Sequence, residues 1–485
     1  MLPAINTAAR KLLPRNPFAR GVSILVGGTA GAQVLLVISA PLLTRLYSPE
    51  DFGLVALFTA MLSLFSVVAC LRYELAIPLP DDDEDAANLV GLALVSVAIF
   101  TACAALLVFF FGDDIARMLD SPQLARYLWL LPLGVLLAGT YQTFSKWAIR
   151  SKSFKNVAKT RFSQSLTTIG IQLLSFKTGA LGLILGYTAG QAAGCGGLGA
   201  SALKHPAFRR LSFAKMLAVG RRYREFPIYS TWNGLANTAS LQLAPMAFAT
   251  LFGASVAGFY ALTLRILTMP SSLVGNAVAS VFLAHAPQAH REGRLKQLVE
   301  PLHEKLTMAG VPALFVLLAT GPDLFALVFG EHWRKAGQYA QWMAPWIYLQ
   351  FQWSPLSMLA SVLNLQREAL IMQLLTLFIR FMTLLGCVWL GTSSDTAVLA
   401  FAVASACVYF IRMLWFMWRA GISPLFIAWT EAKHLLVFGL LTSPAMVLWL
   451  LGSGWTQGAG AALFVGCALA WYWRLARHSG GDLAG

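Results

Sequence analysis

Fourteen apolar runs dominate this chain, at roughly 21–43, 53–79, 87–111, 127–148, 162–177, 181–202, 228–251, 259–284, 306–330, 341–364, 370–391, 396–418, 434–452 and 457–475. A helix needs about 20 mostly apolar residues to cross the hydrocarbon of a bilayer. Inside that hydrocarbon every backbone polar group must be satisfied within the segment. The expected fold is therefore all-α, a polytopic membrane protein of about 14 transmembrane helices. Composition agrees: of 485 residues, 58% are hydrophobic and 12% charged, against about a quarter charged in a soluble domain. This excludes a soluble multidomain enzyme and a soluble head on a single anchor.

The formal charge is +15, and its distribution gives its meaning. With the N-terminus inside, 25 Lys and Arg fall on inner segments and 6 on outer ones. Positive residues stay on the cytoplasmic side, so both termini are expected there, and the basic excess reports topology rather than a nucleic-acid partner. The basic N-terminus leads into the first apolar run without a cleavage site and reads as a retained span, not a signal peptide. Cys70, Cys103, Cys195, Cys387, Cys407 and Cys467 all sit inside apolar runs. Their spacing matches neither a metal site nor a disulfide framework, so no metal or other cofactor is expected. Outer loops stay within about twenty residues, too short for a catalytic domain. The chain is not expected to be an enzyme, and its function is expected to lie between its helices.

An internal repeat is visible. Pro41 precedes Gly53 by twelve residues and Pro245 precedes Gly258 by thirteen, while FGDDIARMLD (111–120) and FGEHWRKAGQ (329–338) follow the third and ninth runs. Six runs per unit give the halves one orientation, as parallel repeats about an axis along the membrane normal. The expected units are 1–204, 205–424 and an additional helix pair, 425–485.

RLYSPEDFGLVALF (45–58), CLRYELAIPLPDDDEDAANLV (70–90), GLILGY (182–187), KMLAVGRRYREFPIYS (215–230), GFYALTLRILTMPSSLVGNAV (258–278), GPDLFALVFGEHWRKAGQYA (321–340) and APWIYLQFQWSPLS (344–357) occur in order from about residue 18 to about 420. With these segments the chain resembles the Wzx-type polysaccharide-biosynthesis flippases of the MOP superfamily. The resemblance implies two six-helix lobes forming a V-shaped cavity. It also implies movement of undecaprenyl-diphosphate-linked oligosaccharide from the cytoplasmic to the periplasmic leaflet of the bacterial inner membrane. The destination would be O-antigen, exopolysaccharide or capsule, with membrane lipid and glycan-assembly proteins such as a polymerase as partners. The extra pair of helices, 434–475, lies outside the resemblance.

Such a cargo needs cations for its diphosphate and a polar cavity for its glycan. In the eighth run Arg265, Thr268, Ser272 and Asn276 share one helix face. Arg265 matches the motif position, and its planar fork suits phosphate oxygens; a structural pair or snorkelling to the outer surface also explains it. Gln373, Thr376, Arg380 and Thr383 repeat the pattern in the eleventh run, where Arg380 lies too deep to snorkel easily and faces either the cavity or a neighbouring helix. Lys146, Arg72 and Arg20 complete the candidate diphosphate set. On the seventh run Tyr229, Ser230, Asn233, Asn237 and Ser240 form a neutral stripe that suits hydroxyl-rich sugars or helix–helix packing. Gln142 and Ser145 share a face with Lys146. Glu74, the only acid inside the spans of the first half, is the candidate ion carrier or a salt-bridge partner of Lys146. A regular helix would point Arg72 about 160° away from it. Trp342, Trp346, Tyr348 and Trp353 suit sugar stacking or an aromatic belt. His285, His290 and His303 read as solvated residues near an inner loop, or less simply as coupling groups. The competing functions are a multidrug antiporter of the same superfamily, whose cavity needs acids, and a membrane glycan polymerase or ligase, which needs a large outer loop.

Overall fold

The structure, a computed structural model, describes residues 17–451, 459–460 and 462–472. Among these residues it is all-helical. Two compact units divide it, Met1–Ala261 and Leu262–Gly485.

The first unit contains α1 (Pro17–Ile38), α2 (Ala40–Leu46), α3 (Pro49–Ala69), α4 (Asp83–Met118), α5 (Leu130–Arg150), α6 (Phe154–Leu174), α7 (Ala180–Leu203), the amphipathic α8 (Phe213–Arg222) and α9 (Thr231–Phe252). It ends inside α10 (Ala254–Arg291). The second unit continues with α11 (Leu295–Phe329), α12 (Arg334–Leu356), α13 (Leu359–Val362), α14 (Gln366–Trp389), α15 (Ser394–Arg419), α16 (Pro424–Leu451) and the apolar α17 (Ala462–Tyr472).

Seven described helical segments are long and apolar enough to cross a membrane, those of the first, second, third, ninth, eleventh, twelfth and thirteenth runs. The remaining runs through the tenth lie on α5, α6, α7, α9, α10 and α12. The chain is a multi-pass membrane protein. α4 is 36 residues long, about 54 Å at 1.5 Å per residue, and so overshoots a hydrocarbon core of about 30 Å. Its first turns bury Ala86, Leu89, Val90 and Ala93, whereas Leu106, Phe109 and Phe110 are exposed, the pattern of a helix leaving protein contacts for lipid.

The motif SPEDFG has a local physical cause. Ser48 caps α3: its hydroxyl accepts from the Asp51 amide at 3.1 Å, and Asp51 Oδ2 accepts from the Ser48 amide at 3.0 Å. Pro49 fits the first helical turn, where no backbone donor is needed. Tyr47 Oη donates to the Gln172 carbonyl at 2.6 Å, tying the start of α3 to α6.

The second run does not stay helical to residue 79. α3 stops at Ala69, and Leu71 and Arg72 take left-handed backbone angles, φ 47° and 58°. The helical geometry expected to separate Arg72 from Glu74 is therefore absent. In the second unit one core joins Leu306, Trp353, Leu356, Met413 and Phe416. Another joins Val311, Tyr348, Phe438 and Phe464, seating α16 and α17 on α11 and α12.

Candidate functional site

Each unit gathers cations in its own way. In the first, a cavity of about 350 Å³ is lined by Arg72, Glu74, Gln142, Ser145, Lys146 and Arg161, with Leu25, Thr29 and Tyr141 among the rest of its wall. Lys146 and Gln142 reach it from the last turns of α5, Arg161 from α6, and Arg72 and Glu74 from the turn after α3. Because that turn reverses the backbone, Arg72 Nη1 comes to 3.5 Å from Glu74 Oε1. This corrects the expectation that the two point apart. The guanidinium of Arg72 lies against Gly234 of α9, where a Cβ would collide with it. Arg161 covers the Tyr141 ring at 4.9 Å.

Glu74 lies between α3 and α4 and is 2% exposed. Burial pushes its carboxyl above the ordinary carboxylate range, opposed by a backbone hydrogen bond and by the Arg72 and Lys146 charges. Below this cavity Arg150, ending α5, donates to the Pro80 carbonyl, to the Asp81 carbonyl at 3.2 Å and to the Asp83 carboxylate at 2.9 Å. Lys215 pairs with Glu84, and Arg222 with Asp85 at 3.6 Å. The acidic turn is thus clasped by basic side chains of α5 and α8.

In the second unit Arg380 on α14 inserts between α12 and α15. Its Nε donates to Ser405 Oγ at 2.9 Å, and its Cζ lies 4.7 Å from the Trp346 ring and 5.3 Å from that of Phe401. Arg412 on α15 repeats the arrangement in reverse: Nη1 donates to Gln373 Oε1 at 2.9 Å, and Cζ stands 4.9 Å over Trp353. Trp346 and Trp353, Gln373 and Arg380, and Ser405 and Arg412 are each seven residues apart, about two turns on one helix face. Two layers result, each with one guanidinium, one indole and one oxygen acceptor. Among the described residues neither arginine makes an ion pair, and Arg380 Nη2 and Arg412 Nε have no hydrogen-bond partner. Guanidinium on indole is a favourable stack, and the unfilled N–H groups suit an anion with several oxygens.

The other candidates fall out as follows. Asn233, Asn237 and Arg265 are exposed on α9 and α10. Ser240, Thr268, Thr376 and Thr383 donate to carbonyls four residues earlier on their own helices, so those stripes are partly self-satisfied. The side chains of Arg20, Ser272 and Asn276 lie outside the described residues. Trp346 and Trp353 are platforms for arginines, and Trp342 stacks on Tyr339 at 5.7 Å. His303 is fully buried rather than solvated.

The family of polysaccharide biosynthesis proteins matches residues 42–338. The chain belongs to that family. The resemblance carried by RLYSPEDFG and the segments after it is borne out. Among relatives of this polysaccharide biosynthesis protein, the succinoglycan biosynthesis transport protein ExoT of Rhizobium meliloti (strain 1021) is 25% identical over 340 residues, 69% of this chain and 66% of that protein. The lipopolysaccharide biosynthesis protein WzxC of Escherichia coli (strain K12) is 25% identical over 249 residues, 51% of this chain and 48% of its own. The chain thus spans about half to two thirds of the length of these curated relatives. The lipid II flippase MurJ, in an inward closed conformation, superposes with a TM-score of 0.74 at 11% identity, covering 95% of this chain and 99% of that one. An inward-facing multidrug resistance transporter of the MATE family, of the MOP superfamily, superposes at 0.56 with 13% identity, covering 82% and 94%. The family member therefore has the fold these two transporters share.

Three residues escaped the sequence reading: Arg161, which lines the first unit's cavity from α6, Arg412 and Glu431. Arg412 lies within the twelfth run, seven residues beyond Ser405, a spacing that marks it as the partner of Arg380. Glu431 falls just before the thirteenth run as hydropathy bounds it, yet α16 starts at Pro424 and carries it into the protein.

Proposed function

We propose that this protein is a flippase for undecaprenyl-diphosphate-linked oligosaccharide, the repeat unit of an O-antigen, exopolysaccharide or capsule. It carries its cargo from the cytoplasmic to the periplasmic leaflet of the bacterial inner membrane, with both of its own termini in the cytoplasm. One observation carries this reading: the pair of half-buried guanidiniums, Arg380 and Arg412, held on tryptophans with no carboxylate paired to them among the described residues. Charge of that kind inside a membrane protein is expensive unless a ligand or partner answers it, and a diphosphate supplies multiple acceptor oxygens.

In this reading Arg380, Arg412 and Arg265 take the headgroup in the second unit, and Lys146, Arg72, Arg161 and Arg20 provide cations in the first. Asn233, Asn237, Ser240, Ser272, Asn276 and Gln373 meet the glycan. The two units alternate access while the polyprenyl tail stays in lipid, and Glu74 carries a coupling ion. The chemistry is movement rather than bond-making, so the protein is a transporter and not an enzyme. A multidrug antiporter needs acids facing its cargo, and the Arg380 layer offers the opposite charge. A polymerase or other glycan-assembly protein is the expected neighbour in the membrane.

The test is Arg265→Glu with Arg380→Glu in a strain lacking the chromosomal copy. Loss of surface glycan at normal membrane abundance is expected; full export at that abundance removes the site assignment.

A further inference from the structure

Glu431 is a buried carboxylate with no place in the transport roles above. It stands on α16, beyond residues 42–338 that the family matches, and is 8% exposed. Tyr348 Oη donates to its Oε2 at 2.5 Å, while Gln352 Nε2 and Thr307 Oγ1 donate to its Oε1 at 2.9 and 3.1 Å. His303 on α11, fully buried, holds Nε2 3.4 Å from the same Oε1, and neither ring nitrogen has a hydrogen-bond partner. Tyr348 itself belongs to the apolar core that holds Val311, Leu314 and Phe438. Neutral donors from α11 and α12 take three of the roughly four lone-pair sites of the carboxylate, and the unpartnered imidazole facing it offers a nitrogen for an exchangeable proton.

We infer that His303 and Glu431 form a proton-binding site through which the second unit couples proton movement to transport. The site stands on this geometry, and only its cargo rests on the flippase reading. A proton from water adds to His303 Nε2 and gives an imidazolium facing the carboxylate, a neutral pair; its departure leaves a single negative charge among apolar side chains. Occupancy therefore tightens α16 against α11 and α12, and release loosens it. The other ionisable groups at the cluster are Tyr348 on α12, His434 and Lys433 on α16, Glu304 on α11, which pairs with both of those, and Tyr472 on α17, which donates to the Ala309 carbonyl.

Two measurements test this. The first is a ¹⁵N-histidine NMR titration of the full-length protein in nanodiscs, with the His303 signal assigned among seven histidines by its loss in His303→Gln. The His303 ring is expected to gain and lose a proton reversibly, with a midpoint that moves in Glu431→Gln. A ring that stays in one protonation state wherever the protein is folded, or that titrates identically in Glu431→Gln, overturns the site. The second is the ratio of lipid-linked oligosaccharide movement with and without a proton gradient in proteoliposomes, expected to exceed one severalfold in wild type and to fall to about one in Glu431→Gln and His303→Gln. An unchanged ratio in both variants overturns the coupling role. Wild-type protein that moves no glycan at all contradicts the flippase reading, and the titration then decides the site by itself.

Discussion

Gly53 and Gly258, which follow Pro41 and Pro245 by twelve and thirteen residues, pack backbone to backbone within the first unit. A Cβ on Gly53 would collide with the Ala254 carbonyl, and one on Gly258 with the Pro49 carbonyl and the Gly53 amide. Each glycine thus admits the first residue of the helix that carries the other, so that the start of α3 meets the start of α10.

Replacing either glycine by alanine forces two rigid backbones apart, an overpacking that costs about 1–3 kcal/mol. Gly53→Ala and Gly258→Ala are expected to lower the thermal midpoint and the folded yield in detergent. Gly27→Ala on α1, where an added Cβ meets nothing within 4 Å, gains up to about 1 kcal/mol of helix propensity and serves as the control.

The Arg380 layer separates charge from shape. Arg380→Lys keeps the charge but loses the planar fork and its stack on Trp346. Arg380→Gln loses both. Movement of lipid-linked glycan is expected to fall by about tenfold or more in Arg380→Gln, equivalent to about 1.4 kcal/mol, and by less in Arg380→Lys. A double-mutant cycle between Arg380→Met and Trp346→Leu, read by thermal unfolding, is expected to give a coupling of about 0.5–2 kcal/mol.

Glu74 sets a pH dependence. Its folded-state affinity for a proton is raised by burial, so the folded state binds the proton more tightly than the unfolded state does. Its contribution to stability is present at low pH, below the unfolded carboxyl's pKa, and is lost as pH rises through the elevated folded value. Glu74→Gln mimics the protonated form and is expected to flatten that decline in a series of unfolding measurements across pH. A decline as steep as in wild type assigns it to another group.

The clasp on the acidic turn is unequal along its length. Arg150 is 12% exposed in its side chain and holds three backbone carbonyls, those of Pro78, Pro80 and Asp81, as well as Asp83. Arg150→Ala is expected to cost about 1–3 kcal/mol through groups left unbonded. Arg222, 67% exposed beside Asp85, makes a surface pair, and Arg222→Ala is expected to cost well under about 1 kcal/mol. Equal losses in thermal unfolding would place the strength of the clasp elsewhere.

Hydropathy made the helices legible because burial in lipid imposes long apolar runs, and the main part of every run through the thirteenth is helical, although the second breaks off at Ala69. Arg380 was legible because an arginine so deep in an apolar run demands an answer. The encounter of Arg72 with Glu74 was not, since it depends on left-handed angles at Leu71 and Arg72 that no hydrophobic period reveals. Glu431 was hidden by a boundary: Glu431, Lys433 and His434 interrupt the hydropathy of a helix that already begins at Pro424, so the apolar run starts only after them. The roles of Trp346 and Trp353 emerged only once α14 and α15 ran side by side, because their partners come from distant parts of the chain.

The most direct measurement is translocation in proteoliposomes that contain the purified protein and a polyprenyl-linked oligosaccharide carrying a diphosphate, a monophosphate or an uncharged linkage. The diphosphate form is expected to cross fastest and the uncharged form at the rate of protein-free liposomes, with the preference lost in Arg380→Gln. Equal movement of all three linkages by the wild-type protein would contradict a headgroup held by the tryptophan-stacked guanidiniums.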